Sequence, residues 1–75
     1  MERFSFLVNG IRFVVIGDFQ GADRPGFTIS EEANRASTVA ILQFVQANDA
    51  QNLLNQVSKL PRFSGLTDWS HTGRA

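Results

Sequence analysis

Asn9-Gly10 sits between two apolar runs, Phe4-Ser5-Phe6-Leu7-Val8 and Ile11-Arg12-Phe13-Val14-Val15-Ile16, and no other feature constrains the fold as tightly. A type I′ turn needs positive φ at both central residues, which Asn and Gly tolerate, and its twist matches that of the strands it joins. A β-hairpin is therefore expected here. The short loop also fixes the register, placing Val8 opposite Ile11, Phe6 opposite Phe13 and Phe4 opposite Val15, with all six side chains on one face. That face must be covered. The other face sets Arg3, Ser5 and Leu7 against Ile16, Val14 and Arg12, a mixture too apolar for free exposure and too charged for complete burial.

The rest of the chain must supply the cover. At 75 residues there is room for one core and one domain, residues 1–75. With 43 % of the residues of apolar type, the chain is too rich in core formers to be disordered. A core of this size leaves only about 3–5 kcal/mol of net stability, so burial by self-association would help. There is no cysteine, which rules out a disulfide framework and a thiolate metal site.

Gly17 to Gly26 is dense in turn formers and reads as an irregular loop, followed by a short third strand at Phe27-Thr28-Ile29. A helix is then expected, with Thr28 or Ser30 as N-cap and Glu31 and Glu32 at the positive end of its dipole. Ala33, Ala36, Ala40, Phe44 and Ala47 recur at helical spacing and would lie against the hairpin. Asn48-Asp49-Ala50-Gln51 resembles a capping box opening a second helix with Ala50, Leu53, Leu54, Val57 and Leu60 on its apolar side, up to Pro61. An unbroken helix over 31–60 would run about 45 Å, longer than a compact chain of this size is wide, so a break near Asn48 suits a monomeric globule. Residues 62–75 look irregular, with Phe63, Leu66 and Trp69 as anchors. The expected class is α+β: an N-terminal antiparallel hairpin with a short third strand, packed on one or two helices, and an irregular tail.

Motifs that carry chemistry are sparse. Asp68, Ser70 and His71 supply the residue types of a nucleophilic triad, but near-neighbours in sequence rarely aim at one another. His71 is the only histidine, and the acidic residues are too scattered to suggest a metal centre, although Asp18 and Asp23 share a glycine-rich loop. Gly17, Gly21 and Gly26 follow a strand but lack the Lys and Ser/Thr of a phosphate loop. No catalytic residue, cofactor or metal ligand is assigned, and the expectation is a protein that is not an enzyme.

The leftover apolar surface is more informative. Val39, Leu42 and Val45 lie on the helical stretch away from the alanine stripe, and Leu7, Val14 and Ile16 lie on the outer hairpin face. A contiguous apolar patch on a soluble protein marks an interface. These six residues are the expected protein-binding surface of a small interaction module, a homodimer or the partner of a larger protein. Its action would be surface occupation, as in the inhibitors and adaptors that bacteria and their phages encode. One alternative is a nucleic-acid-binding protein using Arg12, Arg62 and Arg74 with nearby aromatics, although seven basic and seven acidic residues give no net charge. Another is an oligomer holding a small molecule in an apolar pocket between subunits. Neither a leader-like N-terminus nor a membrane-length apolar run is apparent, so the expected setting is the cytoplasm with no membrane partner.

Overall fold

The computed structural model describes residues 1–19, 26–43 and 50–74. Strand β1 (Glu2–Val8) turns at Asn9-Gly10 into β2 (Ile11–Asp18), followed by β3 (Gly26–Glu31), β4 (Asn34–Gln43), helix α1 (Ala50–Lys59), a 3₁₀ turn at Pro61–Phe63, and β5 (Thr67–Arg74). The strands form one antiparallel sheet in the order β4-β3-β2-β1-β5. The hairpin therefore forms the middle of the sheet.

Its turn has the positive φ values that the sequence demands, 51° at Asn9 and 79° at Gly10. Val8 pairs with Ile11, Phe6 with Phe13 and Phe4 with Val15, the expected register. The short strand expected at 27–29 is the centre of β3, with Ile29 opposite Val15.

The core lies between one sheet face and α1. Phe4, Phe6, Phe13, Val15, Phe27, Ile29 and Leu42 from the sheet meet Leu53 and Val57 of the helix and Phe63 of the 3₁₀ turn. Leu53 and Val57 are fully buried one turn apart, as an amphipathic helix places them, and each contributes about 1.5–3 kcal/mol by leaving water. Aromatic rings dominate the rest. Phe6 stacks on Phe13 at 5.4 Å between centroids, and Phe63 meets both edge-on at 5.2 and 5.1 Å. Phe4 stacks on Trp69 at 5.3 Å and on His71 at 4.3 Å, with Phe27 edge-on at 6.2 Å.

This overturns the expected fold class. The molecule is a five-stranded sheet with one α-helix among the described residues, and the cover for the hairpin is α1, the second of the two expected helices. The first expected helix is absent over 31–43: Glu31 ends β3, Glu32 and Ala33 form a turn, and β4 runs back along β3. Its alanines suit a helix, but Thr38, Val39 and Ile41 are β-branched and lose side-chain freedom there, whereas pairing with β3 supplies backbone partners directly. Burial of Leu42 beside Phe27 fixes the outcome. The continuation through Phe44 and Ala47 and the start of the second capping box lie outside the described residues.

The tail is likewise a strand. Register shifts beside Phe4 and Leu7 and positive φ at Asp68 (56°) and Gly73 (118°) break the alternation by which β5 would have been recognised. Trp69 still reaches the core and packs on Phe4 and Phe6.

Candidate functional site

The two rims of the sheet differ. β5 forms one rim and is interrupted by bulges, with Asp68, His71 and Arg74 along it. Such features obstruct the approach of a further strand. β4 forms the other rim. From Ala36 to Gln43 it carries neither charge nor proline, and among the described residues its outer edge pairs with no strand. Ile41 projects from it and is 60 % exposed, while Leu42 points inward at 8 %. A long uncharged edge of this kind offers a row of free backbone donors and acceptors.

The six residues expected to form a protein-binding surface separate into two groups. Leu7, Val14 and Ile16 do share the helix-free face, where Val14 is buried between Ser5 and Ser30 and the other two are half-buried. Val39 and Leu42 belong to β4 and pack towards the core on the other side. Val45 lies outside the described residues. Sequence reasoning passed over Ile41, since a helical reading of 31–48 hides which residues of a strand face outward.

The basic residues are also redistributed. Arg12 and Arg74 come together with Arg3, Ser5, Glu32 and Thr72 around a cleft of about 370 Å³ on the helix-free face. Arg62 is on the opposite side of the sheet, its guanidinium over the rings of Phe13 at 5.5 Å and Phe63 at 5.9 Å. Arg12 donates to Ser5 Oγ at 3.3 Å and pairs with Asp68 at 3.4 Å. Arg74 Nε pairs with Glu2 at 3.3 Å, and Ser5 Oγ lies 3.2 Å from Ser70 Oγ. Neither Arg3 nor Glu32 has an ion-pair partner among the described residues. Hairpin register alone puts Arg3 and Arg12 on one face, but Thr72 and Arg74 needed β5 to be recognised as a strand.

The triad types do not converge. Ser70 bonds Ser5 on the helix-free side, whereas His71 stacks on Phe4 and its Nε2 lies 2.8 Å from Glu2 Oε1. Asp68 is engaged with Arg12. In the glycine-rich segment, Asp18 pairs with the N-terminal amine at 3.2 Å, and Asp23 and Gly21 lie outside the described residues. Gly17 and Gly26 serve packing, because a Cβ on either would strike the backbone of the neighbouring strand.

No protein family, curated protein or solved structure matches this chain. No helix among the described residues is long and apolar enough to cross a membrane. The functional reading rests on the chain's own surfaces.

Proposed function

We propose that this chain is a protein-interaction module that acts by edge-to-edge strand addition, with the β4 edge of a second copy as its first partner. The observation that supports this reading is the contrast between the two rims: the stretch of β4 from Ala36 to Gln43, free of charge and proline and with Ile41 exposed, against a bulged and charged β5. Strand addition draws affinity from main-chain hydrogen bonds and needs no catalytic residue. Two β4 edges meeting about a two-fold axis pair antiparallel and close the assembly. The outer edges of the hairpin do not serve, because β3 and β5 already occupy them.

The test is sedimentation equilibrium on the wild type and on Ile41→Lys. The exposed site tolerates the change at a cost of about 1 kcal/mol or less, so the variant keeps its amide spectrum. A lysine on the exposed edge strand opposes edge-to-edge pairing, and the dimer is expected to weaken at least about tenfold. A wild type that stays monomeric into the millimolar range, or a dimer indifferent to the lysine, would overturn the reading.

A further inference from the structure

We propose that the cleft lined by Arg3, Arg12 and Arg74 binds a phosphate group carried on a small molecule. The site lies on β1, β2 and β5 with Glu32 of the β3–β4 turn at its border, and its arginines are on other strands than the Ala36–Gln43 edge used in strand addition. Its lining brings three guanidiniums together with the carboxylate of Glu32, and two of them, on Arg12 and Arg74, are already paired with Asp68 and Glu2, which leaves Arg3 as the unpaired cation of the cleft among the described residues. Two of the three are held in place: Arg12 by Ser5 and Asp68, Arg74 by Glu2. A guanidinium has five N–H donors, so each keeps donors for a ligand. Arg3 has no ion pair among the described residues and is free to close on an anion.

The chemistry favours phosphate over carboxylate. One bidentate arginine satisfies the two oxygens of a carboxylate, whereas a phosphate monoester presents three terminal oxygens and up to two charges, which several arginines can share. The volume of about 370 Å³ suits a small ligand. An extended nucleic acid fits less well. Arg62 is on the opposite face, and Phe4, Phe6, Phe13, Phe27 and Phe63 are buried where no base can stack on them.

Amide-detected NMR titrations with inorganic phosphate, O-phosphoserine, acetate and a short oligothymidylate test this directly. Phosphate and O-phosphoserine are expected to shift Arg3, Ser5, Arg12 and Thr72 saturably, at least about tenfold more tightly than acetate. Arg3→Gln and Arg12→Gln should each weaken that binding severalfold with the rest of the spectrum unchanged, and Arg62→Gln should leave it intact. Shifts that do not saturate, match those with acetate, or survive both cleft substitutions would overturn the proposal. Tighter binding of the oligonucleotide that depends on Arg62 would overturn it in favour of nucleic acid.

Discussion

Phe4→Ala is expected to leave most of the chain unfolded at room temperature. Phe4 has no exposed surface and sits at the centre of a ring of aromatic partners: Phe19, Phe27, Trp69 and His71, with centroids 4.3 to 6.2 Å away. Truncating a buried Phe costs about 3–5 kcal/mol, and each lost ring pair removes up to about 1.5 kcal/mol of that geometry-dependent attraction. A single core of this size holds only about 3–5 kcal/mol in reserve, so the loss consumes the whole margin. Because Trp69 and His71 lie on β5, the damage should also free that strand from β1. Urea titration followed by circular dichroism and Trp69 fluorescence reads both effects. Phe4→Leu keeps much of the volume but not the ring, and should show an intermediate loss. A Phe4→Ala chain with a wild-type midpoint would show that the aromatic cluster does not hold the sheet to the helix.

The second large effect is expected from the smallest substitution, Gly17→Ala. A methyl group on Gly17 would collide with the carbonyl oxygen of Gly26 and come within 2.7 Å of the Phe27 Cα, both backbone atoms that no rotamer change can move. Overpacking typically costs about 1–3 kcal/mol and more where the obstacle is rigid. The damage should spread in a defined direction, since among the described residues β4 pairs with β3 and with no other strand. Hydrogen exchange is expected to show loss of protection at Phe27, Ile29 and Ala40, with β1 and β5 less affected. Gly65→Ala is the control, having open space around the added carbon, and should be neutral or slightly stabilising. Equal behaviour of the two variants would mean that the β2–β3 crossing is looser than its geometry implies.

How much of this could be read from residues alone depends on how local the deciding contacts are. The hairpin was legible because a two-residue turn and an alternating pattern act within a few positions of each other. The same holds for α1, where Leu53 and Val57 repeat at helical spacing. β4 was not, because alanine-rich sequence behind two glutamates carries a real helical preference, and what overrides it is a distant contact, Leu42 against Phe27. β5 was hidden for another reason: its bulges destroy the period that identifies a strand, and its pairing partner lies at the far end of the chain. Half of the arginine cleft followed from hairpin register and half did not, since Thr72 and Arg74 enter it only once β5 docks. The β4 rim was hidden entirely behind the helical reading.

Under the proposed strand addition, one receptive rim and one obstructed rim give the sheet a valence of one. Once two copies join through β4, every remaining border of the combined sheet is a kinked, charged β5, and growth has nowhere to continue. A chain with two receptive rims would polymerise into fibres, whereas on this reading the pairing stops at two copies.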